Sequence, residues 1–189
     1  MGRSYDHVPD HLATWMEAQP IWFVASAPLA ADGHVNVSPK GDDTFRVLGP
    51  NLVGYLDRVG SGAETIAHLR ENGRLTIMFT SFDEAPNIVR LYGQGTSILP
   101  GGARWAELAP RFPERLGARS IVLLDVETVT TSCGYGVPLM RYEGTRPHMD
   151  DWAEKKGPDG IAAYLVEKNA TSIDGLPAID PAGPATRPG

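Results

Sequence analysis

The sequence predicts a mainly β protein of the α+β class, built as a small antiparallel barrel with short peripheral helices. At least six short segments alternate apolar and polar residues and are separated by turns. The helical segments between them are shorter than the dozen residues that a parallel crossover needs, which excludes a doubly wound sheet. Gly93 and Gly95 interrupt one long strand, as is typical of bends in closed sheets.

The chain opens with a helix and a hairpin. A short helix is predicted over residues 9–19, because its apolar residues share one face and Pro20 ends it. A strand over 21–27 and a second over 34–40 follow, joined by a glycine turn. In the second strand, the period of two places valines on one face and polar side chains on the other. This polar row consists of Asn36, Ser38 and Lys40.

A candidate anion site follows the next two strands, which are predicted over 45–48 and 52–57. A glycine loop then enters a helix over 63–70, where Ser61 and Glu64 have the spacing of a capping box. Backbone N–H groups and the helix dipole favour a phosphate at such a helix start. The alternative is a capped helix after an ordinary turn.

The second half of the barrel is predicted from three more strands, over 74–80, 87–99 and 120–126. A short helix over 103–108 precedes the last of them. Because that last strand is apolar on both faces, we expect it at the centre of the sheet. His68, in the helix over 63–70, is predicted to lie at the surface or to be partly packed.

The character of the chain changes after the barrel. Residues 1–142 are predicted to form the barrel domain and 143–175 a helical extension, with helices over 147–156 and 158–169. Residues 176–189 are rich in Pro, Gly and Ala, which predicts an extended tail or an arm on another surface.

Composition excludes several functional classes. The 189 residues carry a net charge of −6 with scattered basic residues, which argues against a nucleic-acid partner. No apolar run is long enough to cross a membrane, and the amino terminus does not resemble a secretion signal, so we expect a cytoplasmic protein. Cys133 is the single cysteine, and the five histidines lack metal-ligand spacing, so no metal site is predicted.

Several segments in register carry a family resemblance. They are residues 35–41 (VNVSPKG), 55–62 (YLDRVGSG), 64–72 (ETIAHLREN), 75–79 (LTIMF), 90–95 (RLYGQG) and 132–138 (SCGYGVP). Over residues 10–140 the chain resembles the pyridoxamine 5′-phosphate oxidase-like, FMN-binding split-barrel family, in its poorly characterised branch. The resemblance implies a six-stranded antiparallel split barrel and a homodimer with FMN in a groove between the subunits.

The resemblance also implies a set of site residues. The cofactor-binding positions are Ser38, Lys40, Tyr55, Leu56, Asp57, Ser61, Gly62, Thr65 and Arg90, and the substrate-side positions are Cys133 and Tyr135. The family's oxidases have basic residues at the helix start. Residues 63–65 have none here and include Glu64. Phosphate binding would then rest on Lys40, backbone N–H groups and Thr65, with Arg58 or Arg90 as a further cation.

The predicted function is that of an FMN-dependent oxidoreductase with hydride transfer through flavin N5, acting on a small molecule and using NAD(P)H or an organic donor. No catalytic acid or base stands out in the sequence. The alternatives are a reductase that uses deazaflavin F420, and a non-catalytic flavin- or haem-binding carrier or sensor. Vitamin B6 oxidation is not favoured, because the chain end lacks the Arg-x-His of true pyridoxamine phosphate oxidases.

Overall fold

A computed structural model describes residues 2–180 and shows eight strands and four α-helices within them. The strands are β1 (Ser4–Tyr5), β2 (Ile21–Ser26), β3 (Asn36–Gly41), β4 (Phe45–Gly49), β5 (Leu52–Arg58), β6 (Arg74–Thr80), β7 (Ile88–Ile98) and β8 (Ala118–Ser132). The helices are α1 (Asp10–Glu17), α2 (Glu64–Glu71), α3 (Ala103–Leu108) and α4 (His148–Lys168). The predicted count of six strands is therefore wrong, whereas the fold class is confirmed.

The strands form one curled antiparallel sheet in the order β3-β2-β6-β7-β8-β5-β4, with β1 paired to β8. β8 is central, as predicted, and much longer than the apolar run that marked it. It pairs with β7 along most of its length and with β5 at its start, so it joins the two parts of the sheet. The β7 register shifts between Tyr92 and Gly93, where a Cβ on Gly93 would collide with the backbone of Asp125.

An aromatic cluster forms the centre of the core. The indole of Trp22 lies 5.6 Å from the ring of Phe45, 4.8 Å from that of Tyr55 and 5.9 Å from that of Phe79, measured between centroids. All four side chains are buried. Because Trp22 pairs with Lys40 across β2 and β3, this cluster lies directly beneath the polar row of β3.

Helix α2 starts without the predicted capping box. Its N-cap is Ala63, which forms no side-chain capping bond, and Ser61 is exposed. The prediction for His68 is also wrong, because this side chain is fully buried, with Nδ1 3.0 Å from the Ser26 hydroxyl. The helix lies between the sheet and the C-terminal segment, so residues on several of its faces are covered.

The C-terminal segment, defined as residues 134–180, folds back on the barrel. Helix α4 breaks at Gly157, whose φ of 64° separates two helical parts at the predicted boundary. Beyond it, Ala178 and Ile179 pack against α2. The first part of the predicted tail is thus an arm on the barrel, and residues 181–189 lie outside the described residues. No helix within residues 2–180 is long and apolar enough to cross a membrane.

Candidate functional site

Two adjoining cavities lie between the barrel and the C-terminal segment. The polar cavity, of about 750 Å³, is bounded by β3, the loop after β5 and residues 171–173. The wide cavity, of about 1350 Å³, is walled by Trp15, Ile21, Phe82, Tyr142, Trp152 and Tyr164, among others. Both include Lys40, Gly60 and Ser61, so they form one continuous groove.

A buried ion cluster forms the floor of the polar cavity. Asp57 accepts from Lys40 Nζ at 2.8 Å and from Arg119 Nε at 2.7 Å. Burial acts to raise the pKa of Asp57, but the two cations hold the carboxylate ionised and its pKa falls below the ordinary value. One carboxylate thus faces two cations, and the cluster carries one net positive charge at the cavity.

The glycine loop is held by bonds to its carbonyl groups. Arg119 donates to the Gly62 carbonyl at 2.7 Å and to the side chain of Asn169 at 2.9 Å, and Asn169 donates to the Gly60 carbonyl at 2.9 Å. The barrel and the C-terminal segment therefore fix this loop together. The N–H groups of Gly60, Ser61 and Gly62 have no acceptor within residues 2–180, so they stay available for a ligand.

A polar network links the row on β3 to helix α2. Asn36 donates to Thr65 Oγ1 at 3.0 Å and accepts from the Ser38 hydroxyl at 3.1 Å. The hydroxyl of Ser26 lies between Asn36, at 3.4 Å, and the ring of His68. Burial lowers the pKa of His68, which keeps its ring neutral near pH 7. The network thus positions Ser38 at the cavity wall without adding charge.

Three further charged residues line the polar cavity: Asp42, Arg58 and Glu64. Arg58 forms ion pairs with Asp42, at 3.3 Å, and with Asp150, yet its buried Nε–H finds no acceptor within residues 2–180. Glu64 is the opposing carboxylate, and its side chain folds so closely over Gly62 that a Cβ there would collide with it. The cavity therefore combines an unmet donor with the carboxylate of Asp42, which is paired with Arg58, and with that of Glu64, which weakens binding of an anion.

The structure brings part of the predicted site together. The predicted cofactor residues that line the polar cavity are Ser38, Lys40, Leu56, Ser61 and Gly62. Tyr55 instead lies in the core below, where burial and then the Asp57 charge raise the pKa of its phenol well above the usual range. Asp57 and Thr65 are also buried. Asp57 reaches the cavity through Lys40 and Arg119, and Thr65 through Asn36 and then Ser38.

The other predicted residues lie away from both cavities. Arg90 is on β7 and donates to the Ser132 hydroxyl at 3.1 Å. Cys133 and Tyr135 are exposed after the end of β8. Their assigned roles remain predictions.

Sequence reasoning missed the residues that come from later in the chain. Arg119 precedes the apolar run of β8, and a charge at the head of a buried strand is the signal that marks it. Asn169 follows α4 and carries no such signal. Residues 171–173 reach the polar cavity only because the C-terminal segment folds back.

Comparison with known proteins gives one family. The family model described as Pyridoxamine 5′-phosphate oxidase matches residues 8–133. The pyridoxamine 5′-phosphate oxidase family protein ustO of Aspergillus flavus is 41% identical over 192 residues, which span 93% of this chain and 77% of that protein. The second match includes most of the C-terminal segment, which the family model does not reach.

Solved structures share the fold at low sequence identity. A tagged variant of HupZ from Group A Streptococcus has a TM-score of 0.52 and 19% identity, over 66% of this chain and 99% of that one. A candidate pyridoxamine 5′-phosphate oxidase from Lactobacillus delbrueckii has a TM-score of 0.51 and 17% identity, over 66% and 94% of the two chains. Both likenesses support the curled half-barrel architecture.

Proposed function

Because this chain belongs to the pyridoxamine 5′-phosphate oxidase family, we propose that it is an FMN-dependent oxidoreductase acting on a small molecule. A fold hosts many activities, so the proposal depends on the site. The observation that carries it is the polar cavity, where Lys40 and Arg58 offer donors at one end of a continuous groove. When bound, FMN supplies the hydride chemistry.

The donor set of the polar cavity fits a phosphate. The Lys40 ammonium has three N–H groups, of which Asp57 accepts one at 2.8 Å. Ser61 contributes a hydroxyl, and the loop after β5 contributes backbone N–H groups. The buried, unmet Nε–H of Arg58 adds a charge-assisted donor. The largely apolar walls of the wide cavity would contact the rest of the ligand, on the side away from the phosphate.

We expect Lys40→Ala to weaken FMN binding by about 10–100-fold, since a hydrogen bond to a charged group contributes about 1.5–3 kcal/mol. Riboflavin, which lacks the phosphate, should bind the variant and the parent equally. Glu64→Gln should strengthen FMN binding by removing a carboxylate from the same cavity. Flavin fluorescence titration measures all three effects.

The matched control is Lys155→Ala, because Lys155 is an exposed lysine of α4 outside both cavities. It should bind FMN like the parent. A parent protein that does not bind FMN, or a Lys40→Ala variant that binds it as tightly as the parent, would refute the phosphate site.

The identity of the cofactor and the occurrence of turnover need separate tests. Mass spectrometry of the small molecule released on denaturation should identify FMN, and release of deazaflavin F420 or haem would contradict the proposal. Loss of the visible flavin absorbance on anaerobic addition of NADH or NADPH would support an oxidoreductase. Persistence of that absorbance with every donor tried would favour a carrier.

We also propose that two copies of the chain form a homodimer beside this site. Val35 and Val37, at the sheet edge, are 70% and 64% exposed, and exposed β-branched residues at an edge are typical of a covered surface. Val37 alternates with Ser38 and Lys40 along β3. A partner that covers the valines therefore lies on the face of β3 opposite to the groove.

Val37→Lys is expected to weaken the dimer at least tenfold, because a charge would be buried at a self-complementary interface. Sedimentation velocity over a range of concentrations measures this change. Val166→Lys is the control, since Val166 is an exposed valine of α4. A monomeric parent, or a Val37→Lys variant that dimerises like the parent, would contradict the proposed interface.

A further inference from the structure

The wide cavity is larger than one bound ligand needs. Its volume of about 1350 Å³ exceeds the roughly 300–1000 Å³ typical of small-molecule sites, and the polar cavity adjoins it. One wall belongs to the barrel and the opposite wall to the C-terminal segment, which lies beyond the family match at residues 8–133. There is room for a second molecule next to a cofactor.

The wall from the C-terminal segment is a fixed aromatic surface. Trp152 and Tyr164 pack edge to face with centroids 5.1 Å apart, and Lys156 Nζ lies 5.9 Å and 5.8 Å from the two rings. In a straight helix, residues twelve apart would be separated by about 18 Å along the axis. The break at Gly157 brings these rings together, so the fold itself builds this surface.

Lys40 and Asp42 line the wide cavity on the barrel side, where they pair with Asp57 and Arg58 respectively. The other charges around this cavity favour an anion on the side of the C-terminal segment. Arg146 lines the cavity and has no ion-pair partner within residues 2–180. The neighbouring Arg141 is neutralised by Glu143 at 2.7 Å. On the barrel side, the Asp83 carboxylate accepts the Ala85 N–H and no other donor within residues 2–180, so it repels an anion towards Arg146.

We propose that the wide cavity is the substrate site and takes a ring-bearing, largely apolar molecule with one carboxylate. Its ring packs on Trp152 and Tyr164, and its carboxylate pairs with Arg146. This inference rests on the proposed function, since the wide cavity meets the polar cavity, where the FMN phosphate is proposed to bind, at Lys40 and Ser61. The C-terminal segment then determines substrate class while the barrel holds the cofactor.

Isothermal titration of the full chain with 2-naphthylacetate and with its uncharged amide tests the charge preference. The carboxylate should bind the parent at least fivefold more tightly than the amide. Arg146→Ala should abolish that preference, whereas Arg141→Ala, the matched control in the same wall, should keep it. Equal binding of the two probes to the parent, or a preference that survives Arg146→Ala, would overturn the proposal.

Trp152→Ala tests the aromatic wall and should weaken both probes about tenfold, as truncation of a buried aromatic anchor does. Tyr92→Ala is its control, because Tyr92 is an exposed aromatic residue of β7 outside both cavities. Thermal denaturation confirms that each variant is folded, and unchanged binding by folded Trp152→Ala would refute the assigned wall.

Titrations with and without added FMN separate the two proposals. If the naphthyl carboxylate binds while FMN does not, the proposed function fails and the anion site stands. If FMN binds and neither naphthyl probe does, the substrate site fails and the proposed function stands.

Discussion

Replacing Asp57 by alanine is expected to lower the free energy of unfolding by about 3–5 kcal/mol, the cost of removing one partner from a buried ion pair. The Asp57 carboxylate is the counter-ion of both Lys40 and Arg119, and the side chains of Asp57 and Arg119 are almost inaccessible to water. The variant leaves two cations close together without compensation. Urea denaturation followed by circular dichroism measures the change.

Asp43→Ala provides the control for this prediction. Asp43 pairs with Arg46 at 2.6 Å, but its side chain is 70% exposed, and such surface pairs contribute less than about 1 kcal/mol. If Asp57→Ala costs no more than Asp43→Ala, the buried cluster does not stabilise the fold in the way its geometry indicates.

The same cluster makes stability depend on pH in the acid range. The folded-state pKa of Asp57 lies below its ordinary value of 3.8, because Lys40 and Arg119 outweigh the effect of burial. As pH falls, the unfolded chain takes up the proton first, so the stabilisation is complete above about pH 4 and is lost through the folded-state pKa. The stability difference between the parent and Asp57→Ala should shrink over that range.

Local patterns predicted most elements of the fold because local physics determines them. Alternation with a period of two located the strands from β2 to β7, and proline and glycine marked their ends. The two-residue strand β1 was missed, since two residues carry no periodicity and β1 exists only through its pairing with β8. β8 was underestimated because it continues past the apolar run into polar positions.

The two errors at helix α2 have different causes. A Ser-x-x-Glu spacing indicates a capping box only if the chain turns at the serine, and here the helix begins at Ala63 as its cap. The residues of its own helix alone predict that His68 lies at the surface or is partly packed. It is buried because β2 provides a partner in Ser26, which is 42 residues earlier. Contacts of that range leave no local signal.

The parts of the candidate site that are close together in the sequence were predicted, and the parts that come from later in the chain were not. The polar row of β3 and the glycine loop could be inferred from spacing and resemblance, and they do meet in the polar cavity. Asp57 was assigned to the cofactor, but its carboxylate is occupied by two cations from separate strands. Which of several nearby charges faces a ligand depends on Arg119 and Asn169, whose positions follow only from tertiary packing.

Trp22→Ala is expected to lower the free energy of unfolding by about 3–5 kcal/mol, as truncation of a large buried aromatic residue does. Trp22 is 1% exposed and contacts Phe45, Tyr55 and Phe79, so the surrounding rings cannot close the space it leaves. Urea denaturation followed by far-ultraviolet circular dichroism measures the loss, because fluorescence would itself change when the indole is removed.

Trp22→Phe separates packing from the polar N–H of the indole. Nε1 of Trp22 is buried and finds no acceptor within residues 2–180, so it pays a desolvation cost of about 1–3 kcal/mol that phenylalanine removes. This variant should therefore lower the free energy of unfolding by less than about 2 kcal/mol. Equal losses in the two variants would show that ring packing is not the source of stability.

The Tyr55 ring lies 5.7 Å below the Lys40 ammonium, so the cavity left by Trp22→Ala lies next to the residue that supports Lys40. For that reason, the alanine variant should also bind FMN more weakly than the phenylalanine variant at temperatures where both are folded.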